Sequence, residues 1–459
     1  MKQSFNKTRF TRRQIMKTGL VAGAGLALPW RFLPARAFAD SAAPGLIDPA
    51  SQPLFTEPVP NALDPGFLFK DFSDKGGPVQ KPNYLINLKE TVQETGLVHP
   101  KSGKRLKTPL WGYGSETVSW PGQTFQVMST SAGGADETVI RWENALISKE
   151  HLLPVDTNLQ WAYGLHGYDS YSIKRNGVPI ITHVHGGHTD FQFDGNPEFF
   201  YSPDADIVGP AWNNVQGGFT NEFRYDNNVP AGNLWYPDHA LGITRLNVYA
   251  GLAGFYFVRD EFDTGLPDNP LGLPAFPYEL AYAIQDRMFT DKGYLFYPAF
   301  PGDPFYDDFI TGEGAILPPD LFRNGGPTAL AEFFGDHMVV NGKIWPKTDV
   351  EPRNYRMRLL NGCDSRFMAL QFFEVPAEAT GFSDAIQGPI QFTVIGSDQG
   401  LASNPTPVNT LLFEPGSRYD IIFDFTGVTP GNRVIMKNIG GDEPFGGDIP
   451  GPQVFGETD

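Results

Sequence analysis

A single cysteine, Cys363, stands in a chain of 459 residues, so no intrachain disulfide can form. It follows Asn361-Gly362 with no base partner near it in sequence, which reads as a loop or core residue rather than a nucleophile. Histidine is also scarce, at eight. Beyond the N-terminal segment no stretch has the length and apolarity of a membrane span. Long amphipathic helices are few, and Leu241 to Val248 is the best short candidate. Basic charge is in deficit: 35 Lys and Arg against 52 Asp and Glu leave a net charge of −17. Such a surface repels nucleic acid and anionic lipid. It reads as a well-solvated exterior, not as evidence for a cationic substrate.

What the chain has instead is bulk and punctuation. Hydrophobic residues make up 41% and aromatics 14%, with 37 Phe, a composition that builds large cores. The 51 Gly and 41 Pro follow no collagen-like period and point to many short strands joined by tight turns. Thr138–Glu143, Tyr355–Leu360 and Asp420–Phe425 alternate apolar and polar, the period of half-buried strands. The expected class is all-β, as tandem antiparallel sandwiches.

Three segments organise the chain. Residues 1–39 hold eight Lys and Arg and no acid, so the remainder is more acidic than the whole. Thr11-Arg12-Arg13-Gln14-Ile15-Met16-Lys17 matches a twin-arginine export signal; a short glycine-rich apolar run and small-residue cleavage patterns at Ala35-Arg36-Ala37 or Ala37-Phe38-Ala39 follow. That pathway carries folded cargo, so a periplasmic or secreted protein is expected. From Asp40 to about Gly77 the chain is Pro-rich and expected to wrap as an arm. A loop-rich stretch, Asp263 to Pro277, divides the rest into 40–262 and 263–459, and Pro298 to Pro327 reads as a long loop inside the second part.

The chemistry centres on Thr182-His183-Val184-His185-Gly186-Gly187-His188. On an extended strand His183 and His185 point to one face and could offer two imidazoles to one metal cluster. Neutral imidazole suits copper or zinc, though a lone His-x-His is also common in ordinary strands. The second piece is Leu234-Trp235-Tyr236-Pro237-Asp238-His239-Ala240-Leu241, continuing through Thr244-Arg245-Leu246-Asn247-Val248-Tyr249-Ala250-Gly251-Leu252-Ala253-Gly254. Together these closely resemble the first domain of bacterial three-domain multicopper oxidases of the spore-coat laccase and bilirubin oxidase group. The likeness extends through Trp111-Gly112-Tyr113-Gly114, Asp194-Gly195, Gln285-Asp286-Arg287, Val340-Asn341-Gly342, Ile395-Gly396-Ser397-Asp398 and Glu414-Pro415-Gly416-Ser417-Arg418. It covers nearly everything from about residue 80 to 440.

The resemblance implies cupredoxin-like Greek-key sandwiches and copper. It implies one-electron oxidation of phenols, bilirubin-like pigments, aromatic amines or low-valent metal ions, coupled to reduction of dioxygen to water. By motif match His183 would be a type 2 ligand, with His185 and His239 type 3 ligands. Asp194 would be a proton donor near the cluster, although as a residue it reads equally as a turn position before Gly195.

Two departures qualify this. Pro237 stands where the family has the first His of H-D-H, and proline has no donor atom. Asp238, next to it, would face the other way on a strand. No H-C-H or H-x-x-H-x-H motif occurs, Cys363 is not flanked by histidines, and His99, His151, His166 and His337 are scattered singly. A third cupredoxin domain is therefore expected elsewhere, separately encoded or lost to a frameshift, and the chain alone is expected to be inactive. Two other readings stay open. One is a copper-free exported cupredoxin that binds proteins in the cell envelope. The other is a copper-buffering module, which eight Met without a Met-rich run speak against.

Overall fold

A computed structural model of the chain describes residues 45–71, 82–134, 137–156, 167–168, 171–300, 303, 306, 332–379 and 381–442. The expected leader at 1–39, His166 and most of the stretch from Pro298 to Pro327 lie outside the described residues.

The turn-rich sequence folds as expected for an all-β chain. The first seven strands are β1 (Tyr84–Gln93), β2 (Thr108–Gly114), β3 (Gly122–Met128), β4 (Thr138–Asn144), β5 (Glu222–Tyr225), β6 (Gly232–Trp235) and β7 (Gly254–Arg259). They form two sheets, β2-β1-β4-β5 and β3-β7-β6. Between the sheets Phe125 is ringed by Tyr84, Trp142, Tyr236 and Tyr256 at centroid separations of 5.1 to 5.9 Å, aromatic packing that fixes the sheets face to face.

Eleven further strands follow: β8 (Glu279–Phe289), β9 (Leu295–Phe296), β10 (His337–Val340), β11 (Lys343–Ile344), β12 (Asn354–Asn361), β13 (Met368–Val375), β14 (Phe392–Ser397), β15 (Gly400–Val408), β16 (Leu411–Phe413), β17 (Arg418–Asp424) and β18 (Arg433–Asn438). An eight-stranded sheet runs β11-β10-β8-β12-β17-β14-β15 with β9 beside β8, and a three-stranded sheet runs β16-β13-β18. Among the described strands none before residue 260 joins a sheet with one after 278. The arm touches both sets, bridging Leu46 to Thr290, Pro58 to Lys347 and Leu68 to Thr124.

Two local expectations shift. The helix runs Thr244–Ala250 rather than from Leu241, because Gly242 turns the chain at φ 72° and Ile243 is non-helical. β12 is buried on both faces instead of one, from Tyr355 to Asn361. Its apolar residues Tyr355, Met357 and Leu359 lie on one face, and Arg356 and Arg358 are turned to the first half of the chain. There they meet a closed cluster of charges. Asp263 accepts from Arg259 (3.0 Å), Arg356 (2.7 Å) and Arg358 (2.6 Å); Glu279 accepts from Arg259 (2.9 Å) and Arg358 (2.6 Å); Asp420 accepts from Arg356 Nε (2.9 Å). All six residues are buried. Three guanidinium groups face three carboxylates, which is the pairing a dry junction requires. Beside it Ala281, Ala283 and Leu360 pack on Phe255, Phe257 and Trp235, so the strand that ends in Trp235 is seated against the second half.

Candidate metal centre

The two histidine motifs meet as a short antiparallel ladder. His183 N–H donates to Pro237 O (3.0 Å), His185 N–H to Trp235 O (2.8 Å) and His239 N–H to Ile181 O (2.7 Å). In that register residues 181, 183 and 185 share a face with 235, 237 and 239, while 182, 184, 236 and 238 take the other. The imidazoles of His183, His185 and His239 therefore project together. The ring centroids of His183 and His185 are 5.5 Å apart, and those of His183 and His239 are 5.1 Å apart. Pro237 sits directly across from His183 on the same face, flanked by Trp235 and His239, and contributes no donor there.

The opposite face anchors the ladder. Asp238 is fully buried and accepts from Ile181 N–H (3.0 Å), Ala240 N–H (3.1 Å) and the Asn247 amide (2.8 Å). Burial pushes its carboxyl up to about 7 against the pull of those hydrogen bonds. Asn247 also donates to Pro179 O (3.0 Å), and its carbonyl oxygen lies 3.1 Å from His151 Nε2. His151 accepts from Leu153 N–H through Nδ1 (2.9 Å), so it is a neutral Nε2–H tautomer, and burial holds its pKa down to about 4. His151 is thus a satisfied core residue. His99 is a turn residue, its Nδ1 accepting from the Lys101 and Ser102 N–H groups.

Loops from both halves fix the ladder's outer side. His183 Nδ1 meets the backbone carbonyl of Asp194, whose carboxylate lies 3.5 Å from the same nitrogen and is 41% exposed. Gly195, at φ 78°, lets that turn close: a Cβ there would stand 2.3 Å from Thr182 O and 2.7 Å from His183 Cα. Arg418, on β17, donates to Asn233 O (2.8 Å), Asp398 O (3.1 Å) and His185 O (3.3 Å), clamping the end of the His-bearing segment. Gly186 is required beneath it, since a Cβ would stand 2.5 Å from Leu234 and 3.0 Å from the Arg418 guanidinium.

His239 is half-buried, and desolvation lowers its pKa below the usual imidazole value; its Nδ1 is buried with no hydrogen-bond partner. The His185 ring is pushed down to about 4, first by loss of hydration against its neighbours and then by the Arg418 and His183 charges, although the residue as a whole is exposed. Both are thereby biased to the neutral form that ligates metal. Among the described residues, however, no three His, Cys, Asp or Glu side chains close on one ion position. Cys363 is buried in the second half with its Sγ 3.9 Å from Ile284 O, and burial raises its thiol far from the thiolate form. The donors gathered here are three imidazoles, of the kind that suits copper or zinc.

No protein-family profile matches the chain, but individual relatives do. A laccase of Bacillus subtilis is 32% identical over 393 residues, covering 85% of this chain and 62% of the relative. A laccase of Bacillus stratosphericus is 33% identical over 335 residues, covering 73% and 54%. The chain belongs to the multicopper oxidase family. It spans 54% to 62% of the length of those two relatives. Among solved structures a multicopper oxidase of Aquifex aeolicus superposes with a TM-score of 0.55 at 22% identity, over 84% of this chain and 60% of that one. One from Pediococcus acidilactici gives 0.53 at 20%, over 88% and 61%. These likenesses bear on the fold, which is that of the cupredoxin sandwiches of such oxidases.

The motifs brought the three histidines forward, and the structure gathers them. What motif matching missed is the support: Asp238, Asn247 and Arg418 were visible only as letters within motifs. Their signal was buried-type polar residues at positions off the imidazole face, with partners as far away in sequence as the 9 residues from Asp238 to Asn247 and the 233 from Arg418 to His185.

Proposed function

We propose that this chain carries part of the oxygen-reducing copper site of a laccase-like multicopper oxidase. The reading rests on one observation, the gathering of His183, His185 and His239 on a single face of the ladder. Copper held there would supply one-electron storage, coupling oxidation of a phenol, pigment or low-valent metal ion to reduction of dioxygen. The protein's part is orientation. The Asp194 carbonyl occupies His183 Nδ1 and leaves Nε2 for a metal, the usual way an outer partner aims a ligating imidazole. The Asp194 carboxylate, close to that ring and open to solvent, is our choice for proton delivery.

Three imidazoles without a thiolate leave too few donors, among the described residues, for a four-copper relay. The remaining ligands are to be supplied by another cupredoxin unit seated against this face, and the chain by itself is inactive as a laccase. We assign cupredoxin-like domains to 40–262 and 263–459, joined through the loop around Asp263, and twin-arginine export to residues 1–39. A second reading, a copper-free envelope protein, is favoured by Pro237 alone, which removes a donor from the centre of the face.

Copper titration of the chain lacking residues 1–39, followed by metal analysis and absorption, separates the readings. Binding that disappears in the His183→Ala, His239→Ala double variant, with no intense blue band, supports the shared site. Stoichiometric blue copper in the chain alone overturns it. No copper uptake, or only weak uptake indifferent to both histidines, selects the copper-free reading.

A further inference from the structure

Between the eight-stranded and the three-stranded sheet the second sandwich holds a cavity of about 590 Å³ that opens partly to solvent. The eight-stranded sheet turns Leu280, Tyr282, Met338 and Met357 to it, and the facing sheet turns Leu370 and Met436. Ligand pockets run to roughly 300–1,000 Å³ and are mostly apolar with a few placed polar groups; an apolar void of about 150 Å³ already admits benzene. A well-packed core has few voids even the size of one water.

One wall group asks for a ligand. Asn438 is 3% exposed and lies opposite Leu370 in the β13–β18 register, hence on the cavity face with Met436 and Val434. Its side-chain oxygen accepts from Ala369 N–H (2.9 Å) and Gly440 N–H (2.9 Å), while its Nδ2 has no hydrogen-bond partner among the described residues. A buried amide donor left unpaired is costly unless something accepts from it.

The wall also includes a constrained stretch of the arm. Phe55 and Trp345, both lining the cavity, hold left-handed backbone at φ 55° and 34°, and Phe55 N–H donates to Trp345 O (2.8 Å). Bulky aromatics adopt that region rarely, and such backbone recurs at ligand clamps. Val59 N–H to Lys347 O (2.9 Å) and Lys347 N–H to Glu57 O (2.8 Å) continue the pairing along that wall.

We infer that this cavity binds a small apolar molecule carrying one hydrogen-bond acceptor of the carbonyl type, received by Asn438 Nδ2 and enclosed on one side by the arm. The site is separate from the histidine ladder and does not depend on copper.

The test is calorimetric titration of the full chain with camphor, a compact ketone, and with camphane, the same skeleton without oxygen. Camphor is expected to bind at one equivalent, at least tenfold more tightly than camphane. Met357→Trp, which fills the cavity, is expected to abolish binding with an unchanged far-UV spectrum. If that variant fails to fold, Leu370→Phe serves in its place, with at least a tenfold loss expected. No heat from camphor with the folded wild type, equal affinity for the two compounds, or binding unaffected by the filled cavity overturns the assignment.

Discussion

Replacing Asp263 by Asn tests whether the six-residue charge cluster holds the two halves together. Asp263 is the member shared by all three arginines, accepting from Arg259, Arg356 and Arg358 at 2.6 to 3.0 Å with 2% of its side chain exposed. Asn keeps the shape but removes the charge, so three buried guanidinium groups are left with the carboxylates of Glu279 and Asp420. Removing one partner of a buried pair leaves an uncompensated charge and costs about 3–5 kcal/mol. For a unit of 150–250 residues each kcal/mol moves the midpoint by about 2–4 °C, so the melting temperature should fall by roughly 6–20 °C.

Acid adds an independent readout. Burial alone would raise both carboxyls, but Arg358, with Arg356 on Asp263 and Arg259 on Glu279, outweighs it. Asp263 is held far below the usual carboxylate range and Glu279 is brought down to about 2. Groups whose pKa is depressed by folding contribute fully above their unfolded value near 4, and that contribution is lost as pH falls toward the folded value. Chemical denaturation between pH 7 and pH 2 should show the cluster's contribution, read as the difference between wild type and Asp263→Asn, constant above about pH 4.5 and shrinking below it. In Asp263→Asn the fall in stability with acid should be shallower. A variant within about 1 kcal/mol of wild type at pH 7, or with an identical acid limb, refutes the reasoning, because either result would place the cluster in water.

Gly195→Ala should destabilise by more than about 2 kcal/mol, since it combines a left-handed backbone with a Cβ driven into Thr182 O; thermal unfolding measures it, and copper uptake should weaken with it. Cys363 should resist a thiol-specific disulfide reagent in the native protein and react only on unfolding, because its thiol is buried and its pKa is raised by that burial. Pro237→His restores an imidazole across from His183 and a backbone N–H in the ladder; copper affinity in titration should rise at least about tenfold. An unchanged affinity would mean that residue 237 does not look onto the metal position.

Much of this was legible before any coordinates. His183 and His185 could be placed on one face because a strand has period two, and Asp238 could be set facing away from residue 237 for the same reason, whereas His239 joined them only through the motif resemblance. Period two failed on β12, where Arg356 and Arg358 look like a solvent face. They are buried because a second set of strands packs over them, and nothing local in Tyr355-Arg356-Met357-Arg358-Leu359 announces that neighbour. The acids that neutralise them, Asp263 and Glu279, come from a loop and the strand after it, more than 75 residues earlier. The cavity was invisible for a related reason. Its lining residues read as ordinary core on each strand, and only the spacing of two sheets decides whether they touch.

Pro237 and Asp238 show how the ladder's architecture is kept apart from the residues on its histidine face. The ladder is held by what lies behind it: Asp238 collects three donors, Asn247 ties that carboxylate to Pro179 and His151, and Arg418 fixes the far end. None of these contacts uses an imidazole from the metal face. A proline at 237 therefore costs the ladder one N–H while the three rings stay gathered. Substitution behind the ladder is a different matter, because Asp238→Ala would strand two backbone donors and an amide in the core. Loss of fold should follow changes on the Asp238 side, and loss of copper should follow changes on the His side. A chain in which His183→Ala unfolded the sandwich, or Asp238→Ala left it intact, would reverse that division.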